Sequence, residues 1–151
     1  MAAVIRAATL EDSAALARIH RECFEQAWDE GSFRRLLENP GAFALLAKAA
    51  AAAAFESFAL IQIAADQAEI LSIGTLQRMR RAGLATATLR GAMAEARRRN
   101  AHEMFLEVAD DNAAALALYG GLGFTVVGRR SSYYSKSTGS AADALMLRAM
   151  L

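Results

Sequence analysis

A strand-like stretch that runs into paired arginines and a loop of small residues, and then into a long alanine-rich run, restricts this chain more than any other feature. It comprises Glu69-Ile70-Leu71-Ser72-Ile73-Gly74-Thr75, the loop Arg80-Arg81-Ala82-Gly83-Leu84-Ala85, and a helical pattern ending near Asn100. Small residues let a loop backbone come close to a ligand, and the free N–H groups of a helix start point outward. That end of a helix carries partial positive charge, so a phosphate or pyrophosphate sits there readily, and arginines add charge-assisted hydrogen bonds. The cluster Arg78–Arg81 stands at a helix start, where cations oppose the dipole, and this placement points to an anionic partner. Arg97–Arg99 instead close the helix and complement its dipole. Ala85, Leu89, Ala92 or Met93, and Ala96 form one apolar stripe along it. Gly74, inside the strand, marks a bulge or the close approach of another group.

The rest of the chain supplies elements to pack around this unit. Val4-Ile5-Arg6 reads as a short opening strand, and a helix begins at Thr9 or Glu11-Asp12 with Leu16, Ile19 and Cys23 at helical spacing. Trp28-Asp29-Glu30-Gly31-Ser32 interrupts it, and Ser32–Leu37 reads as a second short helix capped by Ser32. Trp28 is either a core residue or part of a pocket wall. Helix propensity favours the tract Ala49–Ala54, yet Phe43–Leu46 and Phe55–Ile63 are β-rich, and an antiparallel pair with an alanine-rich turn is the reading adopted. His102–Val108 is a strand with Met104, Leu106 and Val108 on one face and Glu103, Phe105 and Glu107 on the other. Asp110-Asp111-Asn112 caps a helix from Ala113 to about Leu122, which Gly123 terminates. Phe124–Gly128 is a strand, Ser131–Gly139 a polar loop, and Ala144–Met150 a closing strand. This order predicts an α+β fold, a mixed sheet with helices packed on it.

Composition narrows the class. A chain of 151 residues that is 55% hydrophobic suits one globular domain over residues 1–151. No run approaches the roughly 18 apolar residues of a membrane span, and the start lacks a signal-peptide pattern, so a cytoplasmic protein with no membrane partner is expected. The single cysteine, Cys23, excludes an internal disulfide and a cysteine-based zinc cluster, and it reads as a small core residue. His20 and His102 have no partner at metal-ligand or triad spacing, so no metal is expected. With 17 basic and 16 acidic residues, the net charge of +1 argues against direct nucleic-acid binding.

The passage Leu106-Glu107-Val108 followed by Asn112-Ala113-Ala114-Ala115-Leu116-Ala117-Leu118-Tyr119-Gly120-Gly121-Leu122-Gly123-Phe124 resembles the signature of the GNAT acetyltransferases. Upstream, Arg80 to Ala85 is similar to that family's acetyl-CoA loop, and both motifs stand in the right order. Trp28, Leu106-Glu107-Val108, Asn112 through Tyr119, and Arg129-Arg130 followed by Tyr133-Tyr134 resemble the bacterial RimI-type ribosomal-protein-alanine N-acetyltransferases within it. The resemblance implies a mainly antiparallel mixed sheet of six or seven strands with about four helices, splayed between the fourth and fifth strands. It implies acetyl-CoA as co-substrate, and acetylation of the α-amine of a protein beginning with alanine, a ribosomal protein in those relatives. By residue, it implies that Arg80, Arg81, Ala82, Gly83, Leu84 and Ala85 hold the pyrophosphate. Ile73 and Thr75, around Gly74, would bond the pantetheine and acetyl portion, and Asn112 the cofactor arm. Glu107 would be the general base and Tyr119 the general acid.

The chemistry asks for such residues. An α-ammonium loses its proton near pH 8 and only the neutral amine attacks, so a base is required. The thioester carbonyl needs polarising, which a backbone N–H from a strand bulged at Gly74 supplies. The leaving thiolate needs a proton. Asn112 and Tyr119 are seven residues apart, two helical turns, and so share a helix face. Tyr133 and Tyr134 either pack on the sheet or, with Trp28, frame the acceptor's entrance. Two other readings stay open: the same chemistry on a small-molecule amine or lysine, and a non-catalytic acyl-CoA-binding sensor.

Overall fold

The computed structural model describes residues 2–135 and 141–151. Seven strands form one sheet in the order β1-β2-β3-β4-β5-β7-β6. They are β1 (Ala3–Ala7), β2 (Ala42–Ala49), β3 (Ser57–Ala64), β4 (Gln67–Thr75), β5 (Glu103–Ala109), β6 (Thr125–Ser135) and β7 (Ala141–Met150). Every neighbouring pair is antiparallel except β4 and β5, which run parallel. A parallel neighbour needs a crossover, and α3 (Leu84–Arg98) provides it. The other helices are α1 (Ser13–Cys23), α2 (Glu30–Leu37) and α4 (Ala113–Gly121). Among the described residues, no helix is long and apolar enough to cross a membrane.

Strand alternation divides the core between the two faces of the sheet. Met104, Leu106 and Val108 of β5 pack with Leu89, Ala92 and Ala96 of α3 and Tyr119 of α4 on one face. Leu16 and Ile19 of α1 and Phe33 of α2 meet Leu46, Phe58 and Leu60 on the other. The half-buried Glu103, Phe105 and Glu107 point to the α1–α2 side, as the alternation predicts.

The Phe43–Ile63 region is the antiparallel pair expected, β2 on β3, with the alanine-rich tract in the connection. Several boundaries differ from the sequence reading. A 3₁₀ turn, Leu10–Asp12, precedes α1, and Thr9 and Asp12 form its capping box. Helix α2 is capped by Asp29, whose carboxylate accepts the Ser32 N–H at 2.8 Å, so Ser32 is the recipient of the cap and not its source. The expected polar loop from Ser131 is strand as far as Ser135, and positions 136–139 of it lie outside the described residues. Its composition is polar because β6 is an edge strand, where pairing with β7 and not burial imposes the extended backbone. The apolar stripe of α3 is Leu84, Thr88, Leu89, Ala92 and Ala96, while Ala85 is half exposed.

Candidate active site

The site begins where the sheet parts. Strands β4 and β5 pair only through Gln67, Ala68 and Glu69 against Glu103, Met104 and Phe105. Just beyond, the register with β3 steps from Ile61↔Ile70 to Leu60↔Ser72, which leaves Leu71 as the extra residue of a bulge. A bulge bends and twists its strand, and here β4 turns away from β5. The bulge therefore lies at Leu71, three residues before its expected place at Gly74. Gly74 instead pairs in register with Phe58. It is glycine because a Cβ there would stand 3.0 Å from Cys23 Sγ and 3.0 Å from Phe58 Cε1. Close approach, the second meaning offered for Gly74, is the one the structure shows.

The bend decides which backbone groups face the opening. The Leu76 N–H bonds Glu56 O at 2.9 Å, toward β3. Backbone groups alternate sides along a strand, so Gly74 also bonds toward β3, while Ile73 and Thr75 direct N–H and C=O toward the parted side. The Thr75 carbonyl accepts Arg80 Nε at 3.2 Å there. The Thr75 hydroxyl is committed elsewhere. It lies 2.8 Å from Ser57 Oγ, which is 2.9 Å from Thr88 Oγ1, a buried trio that pins β3, β4 and the first turns of α3. Thr75 thus offers the opening its main chain only.

The arginine loop follows a 3₁₀ turn, Gln77–Met79. Arg81 and Gly83 both take left-handed backbone conformations, with φ of 66° and 85°. Successive N–H groups in a turn of this kind form a concavity suited to anions. Gly83 is the N-cap of α3 and makes no side-chain cap, so the first N–H groups of the helix face the opening. Arg78 does not share this role, since it reaches back 3.3 Å to the buried Glu56 carboxylate, whose other oxygen accepts the Ala49 N–H at 3.0 Å. Of the cluster, Arg80 and Arg81 line the opening.

These parts enclose a cleft of about 900 Å³ lined by Ile73, Gly74, Thr75, Arg80, Arg81, Gly83, Ala85, Asn112 and Tyr119, with Cys23 and Phe24. Ala82 and Leu84 are not in its lining; Leu84 is fully buried under α3. Asn112 caps α4, its side-chain oxygen accepting the Ala115 N–H at 3.2 Å. Tyr119 is 6% exposed and meets the Phe124 ring at 5.8 Å. The seven-residue spacing does bring Asn112 and Tyr119 to one cleft.

Glu107 lies outside that lining. Its carboxylate is 2.8 Å from the Arg130 guanidinium, which stands 5.1 Å from the centre of the Tyr133 ring. Tyr134 pairs with Ala142, and its side chain lies outside the described residues. Trp28 lines a smaller recess with Ser32, Arg35 and Leu36. The cofactor-type residues therefore line one cleft, and Glu107, Tyr133 and Trp28 are not among the residues that line it.

The sequence reading missed two contributors to the cleft. Cys23 and Phe24 reach the cleft because α1 ends against Gly74, a tertiary contact with no local signal. Burial pushes the Cys23 thiol above its ordinary value, and the neighbouring Arg80 opposes that rise. His20 is 3% exposed, accepts the Trp28 N–H on Nδ1 at 3.0 Å, and is held by burial below the ordinary imidazole value. Among the described residues, no group of three or more His, Cys, Asp or Glu could hold a metal ion.

Residues 13–124 match the acetyltransferase (GNAT) family. The chain belongs to this family. Its curated relatives include the [ribosomal protein bS18]-alanine N-acetyltransferase of Escherichia coli K12, 35% identical over 91 residues; the match covers 60% of this chain and 61% of that protein. The enzyme of the same description from Salmonella typhimurium LT2 is 32% identical over 120 residues, covering 80% and 78%. Among solved structures, the ribosomal-protein-S18-alanine N-acetyltransferase of Escherichia coli superposes with a TM-score of 0.88 at 26% identity, covering 99% of this chain and 94% of that one. The GNAT fold, with its sheet parted between β4 and β5, is the architecture expected.

Proposed function

We propose that this chain, acting as one domain, transfers the acetyl group of acetyl-CoA to the α-amine at a protein N-terminus, a ribosomal protein beginning with alanine in its named relatives. One observation carries the reading: the arginine loop, the free edge of β4 and the Asn112–Tyr119 helix face line a single cleft. That cleft fits the cofactor. The helix start and Arg80–Arg81 suit a pyrophosphate, and the Ile73 and Thr75 main chain suits the amide-bearing arm, with Asn112 beside it. Acetyl-CoA supplies the acetyl group as a thioester. Glu107 takes the proton from the acceptor's ammonium, directly or through water, and the Tyr119 hydroxyl delivers one to the departing sulfur. Trp28 and Tyr133-Tyr134 frame the acceptor. A protein of this kind works in the cytoplasm and needs no metal.

The test is acetyl transfer, read by product mass, to Ala-, Ser- and Met-initiated peptides, an N-terminally blocked peptide with an internal lysine, and a polyamine. Transfer confined to the Ala-initiated peptide is expected. Transfer only to lysine or polyamine would overturn the acceptor, and acetyl-CoA binding without transfer would favour the sensor. Tyr119→Phe should cut turnover about 100-fold, the low end for general acid–base catalysis, with acetyl-CoA affinity retained. An unchanged rate removes Tyr119 from the acid role.

A further inference from the structure

Glu107, read above as the group that meets the acceptor amine, is already occupied in the free protein. Arg130 Nη2 stands 2.8 Å from Glu107 Oε1, and the same guanidinium lies 5.1 Å from the centre of the Tyr133 ring. A carboxylate with an aromatic face beside it is a seat for a cation.

Strand register shows how the seat forms. Glu107 pairs with Met146 of β7, Met146 with Gly128 of β6, and Arg130 with Ala144. Paired residues share a face of the sheet, so Glu107 and Arg130 lie on one face, two strands apart. Gly128 and Ala144 add little bulk beside Met146 on that face. After Arg130 the ladder slips: four steps of β6, to Tyr134, span the two steps of β7 from Ala144 to Ala142. In regular alternation Tyr133 would face away from Arg130. The insertion turns it back, as bulges beside functional sites do.

The neighbouring arginine is held differently. Arg129 bridges two carboxylates, Asp110 at 3.2 Å and Asp143 at 2.6 Å, which ties the β6–β7 edge to the end of β5. Among the described residues Arg130 holds one carboxylate, and its side chain is 56% exposed. The guanidinium end lies largely in solvent although the Glu107 side chain is only 25% exposed, and a partly exposed pair of this kind is weak. A guanidinium stays charged at any working pH and is a poor nucleophile, so it fills the seat without reacting.

We propose that Glu107 and Tyr133 form the binding seat for the acceptor's cationic amine, and that Arg130 is a built-in competitor which the acceptor displaces. The device raises the threshold for binding. A free α-ammonium displaces the guanidinium, whereas a blocked, uncharged N-terminus does not. Arg130 is thus a selectivity residue for the reaction proposed above, and touches neither the arginine loop nor the parted edge of β4.

The experiment follows alanine amide, a minimal α-ammonium, and N-acetylalanine amide by NMR titration of the CoA-bound wild type and Arg130→Gln. Removing a competitor held by one partly exposed ion pair and one ring contact should tighten alanine amide about threefold to tenfold. N-acetylalanine amide should be indifferent to the change, and the CoA affinity should match in the two proteins. Arg130 is exposed, so the variant keeps its fold, which a melting curve checks. Equal or weaker binding of alanine amide to the variant, or no binding to either protein, overturns the proposal. Glu107→Gln separates it from the catalytic reading. Wild-type turnover in that variant would remove Glu107 as base, while the Arg130→Gln titration still decides the seat.

Discussion

Replacing His20 by phenylalanine separates two things the imidazole does. The ring lies between Phe24 and Trp28, stacked at 4.3 Å and 4.9 Å between centroids, with Phe33 edge-on at 5.5 Å and Phe58 tilted at 5.8 Å. Phenylalanine keeps that packing. It cannot accept the Trp28 N–H, which His20 Nδ1 takes at 3.0 Å. A donor stranded in this way costs about 1–3 kcal/mol. In a chain of this size each kcal/mol moves the melting point about 2–4 °C, so a fall of about 2–12 °C follows. The effect depends on pH in a set direction. Because Nδ1 accepts, the folded ring is neutral with its hydrogen on Nε2, and the rings around it carry no charge. Burial holds the folded value below the ordinary 6.5. Above 6.5 neither state binds a proton and the stabilisation is complete. As pH falls below 6.5 the unfolded chain takes a proton that the folded one refuses, so stability is lost until the lowered folded value is passed. Comparing urea denaturation of wild type and His20→Phe at pH 7.5 and pH 5 cancels the contributions the two proteins share. The advantage of the wild type should narrow at pH 5. A variant as stable as wild type, or a gap that stays constant or widens, would refute the reasoning.

Two further substitutions test the packing and electrostatics described above. Gly74→Ala places a methyl 3.0 Å from both Cys23 Sγ and Phe58 Cε1. The thiol can shift into the cleft but Phe58 is fully buried, so a loss of about 1–3 kcal/mol by urea denaturation is expected; an unchanged midpoint would contradict the close-approach account. Asp12 is held at about 2 by Arg6, which grips both carboxylate oxygens at 2.7 Å and 2.8 Å. Its contribution to stability is present above the ordinary 3.8 and lost as pH falls through about 2. In Arg6→Gln a carboxyl NMR titration should find Asp12 moved back toward 3.8, and no movement would show that Arg6 is not the cause.

What could be read from the sequence was whatever is written locally. The strand–loop–helix unit, the Asn112 cap and the alternation of β5 each rest on adjacent residues, and each is present. The errors fall where contacts are distant. Leu71 gives no local sign of a bulge, because the bulge is defined by its register against β3. Arg78 reads as part of an anion cluster, yet a buried Glu56 from another strand claims it. His20 looks inert at its spacing because its partner is the backbone N–H of Trp28, and a main-chain donor leaves no mark in a sequence. The β6 segment from Ser131 to Ser135 is polar and lacks alternation, so only its pairing with β7 makes it strand.

The parted sheet has a mechanical consequence. Strands β1 to β4 and strands β5, β7 and β6 are joined edge to edge by only three residue pairs. Two stiff plates share a short hinge at one end, and α3 packs chiefly across the β1–β4 plate. A ligand bonded to the open margin of β4 and resting against α4 acts as a rivet at the far end. On the proposed function that rivet would be acetyl-CoA, so the frame would be at its stiffest with the co-substrate bound and loosest once the product has left.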